Sequence, residues 1–224
     1  MILRPLGQSG YEIKTSRTRI LIDPYLSDIV GRLHGRPRLL PVPSVEMPCD
    51  GVFCTHNHLD HLDPETAVLF PEDQAFFSTP EGCVVLHRLG KKHTTDMQLG
   101  QSIVLGDMEI IPVFAAHTVD AVGLVVKAEG ITLYFSGDTL YDERLSEIAA
   151  YRPDITLICI NGRLGNMNTE EALKIAAAIG AKVNIPNHYD MFASNSADPH
   201  LFADHIPGGI ILAFNTPYDV AALL

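Results

Sequence analysis

Three histidines and an aspartate fall within the six residues His56-Asn57-His58-Leu59-Asp60-His61. Neutral imidazole and carboxylate together suit a divalent ion such as Zn, Mn or Fe. In an extended segment His56 and His58 point the same way, because side chains alternate along a strand. Asp60 and His61 stand where the chain must turn before Pro64. One short loop can thereby offer two imidazoles to one ion, and a carboxylate with an imidazole to another. The alternative is a solvated charged loop. Three histidines and two acids (Asp60 and Asp63) in eight residues argue for the metal site.

Three later residues fit the same scheme. His117 follows the apolar run Glu109–Ala115. Asp138 sits in Ser136-Gly137-Asp138-Thr139, directly after Ile131–Phe135. His188 follows Lys182–Ile185 and Pro186. Each would stand at the end of a strand, where loops carry function on a rigid scaffold. Singly, Asp138 could be an ordinary turn residue, and His117 and His188 structural ones. In this order, behind the His56–His61 cluster, they read as further ligands. His34, His87, His93, His200 and His205 have no partner at ligand spacing and read as surface residues.

The pattern H-x-H-x-D-H, a lone His, Gly-Asp in a turn and a final His resembles the metallo-β-lactamase superfamily. The resemblance runs from Ile20-Leu21-Ile22-Asp23-Pro24 to His188. It implies an αββα sandwich: two mixed β-sheets flanked by helices, with the site at one edge between them. It also implies two divalent metal ions, Zn or Mn. His56, His58 and His117 would hold the first, Asp60, His61 and His188 the second, and Asp138 would bridge them. A narrower similarity is to the L-ascorbate-6-phosphate lactonase branch. It rests on Asn161-Gly162-Arg163-Leu164-Gly165-Asn166-Met167, on Ile185–Phe192, on Asn195 and Asp198-Pro199, and on the segments Leu6–Gly10 and Asp23–Leu26. That branch implies a sugar-acid lactone phosphate as substrate and an association with manganese.

Two close ions lower the pKa of a bridging water and polarise a carbonyl or phosphoryl oxygen. The expected reaction is attack of metal-bound hydroxide on a lactone or ester, the ring oxygen leaving as an alkoxide. Asp60 and Asp138 would hold the ions and accept a proton. The loop Asn161–Asn168 joins a buried strand to a helix N-terminus, and such turns offer backbone N–H groups to anions. Arg163 adds a guanidinium with bidentate geometry. The loop is therefore expected to bind an anionic part of the substrate through Asn161, Arg163 and Asn166, with Tyr189 nearby. The alternative is a tight turn with Arg163 in solvent. Tyr189 and Asp190 could also orient the His188 imidazole. Two other functions stay open: phosphodiester cleavage on the same metal core, and a non-catalytic metal-binding sensor.

The elements that must position these groups alternate in type. Tyr11–Lys14 and Arg19–Ile22 predict a hairpin ending at Asp23-Pro24. The Pro-, Gly- and Arg-rich stretch 31–48 predicts a loop, and Gly51–Thr55 a strand running into the histidines. Asp63-Pro64-Glu65 carries the cap, first-position proline and acidic first turn of a helix. Pro80–Leu89 predicts a second helix closed by Gly90. Strands are expected at Ser102–Leu105, Glu109–Ala115, Val122–Ala128 and Ile131–Phe135. Beyond them come a helix at Asp142–Ala150, a buried strand at Ile155–Ile160, a helix capped by Asn168 with Glu171, a strand at Lys182–Ile185, a helix at Pro199–His205 and a strand at Ile210–Phe214.

The bulk properties limit the partners. The 224 residues are 46% hydrophobic and 19% charged, and predict one folded domain over 1–224. A formal net charge of −11 disfavours nucleic acid; the expected partner is the small anionic substrate that the Asn161–Asn168 loop and the resemblance imply. Assembly into a homo-oligomer stays open. The four cysteines, 49, 54, 83 and 159, form no CxxC pair and read as reduced. No secretory signal pattern opens the chain and no apolar run reaches bilayer length, so a cytoplasmic location is expected.

Overall fold

The structure is a computed structural model that describes residues 1–224. Seven strands form the first sheet: β1 (Ile2–Gly7), β2 (Gly10–Lys14), β3 (Arg19–Ile22), β4 (Gly51–Phe53), β5 (Ala75–Ser78), β6 (His93–Asp96) and β13 (Tyr218–Asp219). Six form the second: β7 (Ile103–Leu105), β8 (Met108–Phe114), β9 (Val122–Ala128), β10 (Ile131–Phe135), β11 (Ile155–Cys159) and β12 (Val183–Asn187). The spatial orders are β13-β1-β2-β3-β4-β5-β6 and β12-β11-β10-β9-β8-β7. Both sheets are mixed. β3 to β6 run parallel, as do β10 to β12, and the remaining neighbours pair antiparallel.

The period of two in the apolar residues explains the layers. Ile20 and Ile22 of β3 face the inter-sheet core, while Leu21 faces outward. In β10, Leu133 and Phe135 face inward and Tyr134 outward. The outward apolar residues of the first sheet are covered by α2 (Pro64–Leu69) and α3 (Pro80–Arg88). Those of the second are covered by a 3-10 helix at Glu143–Tyr151, by α4 (Thr169–Ile179) and by α5 (His200–Ala203). The result is the expected helix–sheet–sheet–helix sandwich. No helix is long and apolar enough to cross a membrane.

Several boundaries differ from those the sequence predicts. The stretch read as a loop begins inside a short helix, α1 (Ile29–His34), ended by Gly35 in the left-handed region. The helix expected at 142–150 is present as the 3-10 helix Glu143–Tyr151. Ile210–Phe214 forms no strand; only Gly209 bridges to Asn184, and the chain then leaves the sheet. The last strand is β13, set against β1. β1, β5 and β6 are strands the pattern does not predict. β1 carries Arg4 and Pro5 in its middle, and β6 is the polar, largely exposed edge His93-Thr94-Thr95-Asp96, so neither displays an apolar alternation.

Direction within the sheets places the site. β3 and β4 are parallel, so Asp23 and the Thr55–His61 segment leave the first sheet at the same edge. β8 and β10 both pair antiparallel with β9, and β10 is parallel to β11 and β12. His117, Asp138 and His188 therefore leave the second sheet together, each just past the C-terminal end of its strand.

Candidate metal centre

The seven residues read as ligands meet at this edge. The donor atoms of His56, His58 and His117 lie within 4.8 Å of one another, as do those of His56, His61 and Asp138, and those of Asp60, His61 and His188. His56 Nε2 is 3.0 Å and His117 Nε2 3.2 Å from His58 Nδ1, so three ring nitrogens converge on one point. The second group faces Asp138. Its Oδ1 lies 3.3 Å from both His61 Nε2 and His188 Nε2, while its Oδ2 lies 3.9 Å from His117 Nε2. One carboxylate thus spans both groups. Asp60 Oδ2 stands 3.8 Å from His61 Nε2 and 3.7 Å from His188 Nε2.

Hydrogen bonds behind the rings decide which nitrogen carries the proton. Gly165 presents only a carbonyl to His117 Nδ1, at 2.9 Å, so that nitrogen donates and Nε2 keeps its lone pair. Asp23 does the same for two imidazoles at once. Its Oδ2 accepts from His61 Nδ1 at 2.8 Å and from Thr55 Oγ1 at 2.7 Å, and its Oδ1 accepts the Thr55 amide. With its hydroxyl proton on Asp23, Thr55 Oγ1 can only accept from His56 Nδ1, 3.1 Å away. One fully buried carboxylate therefore aims His56 and His61 at different ligand groups. In the sequence Asp23 is visible only as the end of a strand motif, with no role of its own. Gln8, visible only within the Leu6–Gly10 segment, also has no role of its own there; its Nε2 donates to Asp60 Oδ2 at 2.6 Å and lies 2.9 Å from His188 Nε2. A polar residue directly after a predicted strand is the available signal for Asp23; Gln8 follows β1, which the sequence pattern does not reveal.

Glycine is required in two places. Gly165 has φ +92°, and a Cβ there would come within 2.8 Å of Thr118 Cγ2 and 2.9 Å of the His117 ring. Gly137, before Asp138, has φ +58° and would set a Cβ 2.9 Å from the Val122 carbonyl. His188 takes the left-handed region without being glycine, at φ +62°. Such strain persists where its surroundings enforce it, commonly at functional sites.

The electrostatics suit cations. Burial, reinforced by the other imidazoles, holds His56 well below the ordinary histidine range, and burial lowers His58. Burial also opposes a charge on His61, but Asp138, Asp23 and Asp60 together outweigh it and push His61 well up. Burial would raise Asp138; His188 and His61 outweigh it and hold the carboxyl well down. His61 Nε2 and Asp138 Oδ1 are buried, and neither has a hydrogen-bond partner. Buried polar atoms are ordinarily satisfied. Orphaned donor atoms aimed at shared points, drawn from imidazoles and carboxylates, fit divalent metal ions. His56, His58 and His117 would hold one, Asp60, His61 and His188 another, with Asp138 between.

The centre opens onto a cavity of about 630 Å³ whose floor includes His58 and Asp60. Of the residues expected at the substrate, none lines it. The loop bends at Leu164 (φ +54°) and Gly165, which turns those two toward the cavity and leaves Arg163 exposed outside it. Asn161 and Asn166 are buried; Asn161 donates to Asn195 Oδ1 at 2.8 Å, and it is Asn195 that reaches the wall. The chain turns at His188, and Tyr189 lines a separate, more apolar cavity of about 270 Å³ on the other side of Gln8. Its hydroxyl is pushed up to about 12 by burial. His34, read as surface, lines the metal-facing cavity. His87, His93, His200 and His205 are exposed. All four cysteines are free, and Cys49 alone is not buried.

Comparison with known proteins agrees with this geometry. Residues 18–189 match the family described as a beta-lactamase superfamily domain. A UPF0173 metal-dependent hydrolase of Oenococcus oeni is 29% identical over 95% of this chain and 97% of its own length. One from Caldivirga maquilingensis is 30% identical over 89% of this chain and 87% of its own. Among solved structures, the metallo hydrolase Igni18 from Ignicoccus hospitalis superposes with a TM-score of 0.79 at 22% identity, covering 97% and 98% of the two chains. An isothiocyanate hydrolase from Delia radicum gut bacteria gives 0.81 at 18% identity, covering 98% of each. At these identities the two structures speak for the fold alone.

Proposed function

This chain belongs to the metallo-β-lactamase superfamily and is a metal-dependent hydrolase; from that premise we propose that it opens a lactone or ester in a small anionic substrate. The observation that carries the proposal is the placement of buried Asp138 between two candidate ligand groups, each of which sends one member, His58 or Asp60, to the floor of one cavity. At about 630 Å³ the cavity has the size of a small-molecule site. Bound in the two groups, Zn or Mn would supply an activated water and polarise the substrate carbonyl.

The residues have separable tasks. Asp138 faces both groups and fixes their spacing. Asp60 is partly exposed and lines the cavity, so it is the carboxylate that can meet a proton released from water there. Gln8, through its 2.6 Å bond, keeps Asp60 turned to the centre. Asn161 and Asn166 support the wall through Asn195 and the Leu164–Gly165 turn rather than by touching substrate. Leu59, Leu164 and Phe192 supply apolar wall. The similarity to the lactonase branch makes a sugar-acid lactone carrying phosphate the first substrate to try.

Phosphodiester cleavage of nucleic acid is the weaker reading. The chain carries a net charge of −11 and, apart from His58, the cavity has only His34 and Arg36 as basic groups. The test is a panel of lactones, carboxylic esters and phosphodiesters offered to Zn- and Mn-loaded protein. Turnover of lactones or esters is expected. Turnover of phosphodiesters alone overturns the substrate class, and no turnover anywhere favours a sensor.

A further inference from the structure

Taking the metal-facing cavity as the substrate site, we propose that Arg36 is the specificity-determining residue, binding a phosphate monoester at the end of the substrate away from the metal centre. Four observations support it. Arg36 lines the cavity that has His58 and Asp60 on its floor. It is free to act: the arginines engaged in ion pairs are Arg4, Arg19, Arg32 and Arg144. It faces a wall with only one carboxylate, Asp60, which belongs to the centre. In a chain with a net charge of −11, an unpaired guanidinium over such a cavity is a local reversal of sign.

The backbone holds Arg36 in place although its side chain is exposed. On one side α1 ends at Gly35, whose left-handed backbone lets its amide reach the Gly31 carbonyl. On the other, Pro37 restricts Arg36 to extended conformations. Arg38 then clamps the loop: its guanidinium donates to the carbonyls of Tyr25, Ser27, Leu40 and Pro41, and stands 5.2 Å from the centre of the Tyr25 ring. In an extended run, Arg36 and Arg38 share one parity and Pro37 the other, but Arg38 is drawn onto the body of the protein while Arg36 makes no such bonds. His34, from the last turn of α1, stands beside it on the cavity. Guanidinium suits a phosphate monoester through paired, parallel hydrogen bonds. Val30, Leu59 and Phe192 provide apolar wall for the neutral middle of the substrate.

The test uses two matched pairs: 6-phosphogluconolactone against gluconolactone for turnover, and 6-phosphogluconate against gluconate for binding by calorimetry. The metal-loaded wild type is expected to favour the phosphorylated member of each pair by at least about tenfold, a difference of 1.4 kcal/mol. Arg36→Gln should abolish that preference by raising KM for 6-phosphogluconolactone, with the bound metal unchanged. Arg36→Lys should restore part of it. A preference that survives Arg36→Gln, or its absence in the wild type, overturns the role of Arg36 while leaving hydrolysis intact. Arg36-dependent binding of 6-phosphogluconate without lactone turnover supports Arg36 and instead counts against the hydrolytic substrate class.

Discussion

At the residue scale, two residues outside the candidate ligand set, Asp23 and Gly165, orient its imidazoles. Asp23 bonds His61 directly and His56 through Thr55, so it governs one imidazole in each ligand group. Asp23→Asn keeps the size but cannot accept from both partners as a carboxylate does. Metal affinity should fall by about 10–100-fold, the usual effect of losing such a partner, with the circular dichroism spectrum unchanged. A metal titration matching the wild type would remove Asp23 from this role. Gly165 accepts from His117 and has no room for a Cβ. Gly165→Ala should displace His117 and weaken the three-histidine group; retention of full metal content would contradict it. The candidate ligands are legible because imidazoles and carboxylates packed this closely along a chain, from His56 to His61, have little use in a core and a clear one around a metal. Asp23 and Gln8 are not, because an Asp or Gln after a strand is common and only three-dimensional proximity gives it a task. That Arg163 stands outside the metal-facing cavity is hidden for a related reason: charge is visible in a sequence, but the bend at Leu164 and Gly165 is not.

At the element scale, the site depends on strands that end together and on helices that begin cleanly behind them. α4 opens with a capping box, Asn168 accepting from the Glu171 amide and Glu171 from the Asn168 amide. Asn168→Ala should cost about 1 kcal/mol. In a chain of this length that lowers Tm by about 2–4 °C. An unchanged thermal transition would show that the cap contributes nothing. Capped helices and alternating strands were readable because their signals are local, as in Asp63-Pro64 and in β8 to β10. The Ile210–Phe214 error has the opposite origin. Its apolar run looks like a strand, yet those residues face the smaller cavity and the inter-sheet core from an irregular path. β6 failed because an exposed edge strand needs no apolar pattern.

At the scale of the whole molecule, we propose that residues 1–224 unfold as one cooperative unit, since the central core draws on both sheets and on the C-terminal Leu212 and Val220. Calorimetry should show a single transition; two resolved transitions would divide the chain. The centre joins the sheets through orphaned buried donors, so metal should stabilise the entire fold. At about a thousand times Kd the gain is about 4 kcal/mol, or a rise of roughly 10 °C in Tm. Equal Tm with and without chelator would mean that no ion is held there. A net charge of −11 further predicts no salt-dependent affinity for RNA or DNA, which a filter-binding titration checks.

The most direct measurement is elemental analysis of the purified chain beside its Asp60→Ala and His61→Ala variants, each confirmed folded. Asp60 and His61 belong to the group completed by His188; the group of His56, His58 and His117 contains neither of them, and His56, His61 and Asp138 link the two. The wild type should carry about two divalent ions per chain, and each variant should lose metal from the second group together with hydrolytic activity. Metal content unchanged in both variants would contradict the two-ion centre.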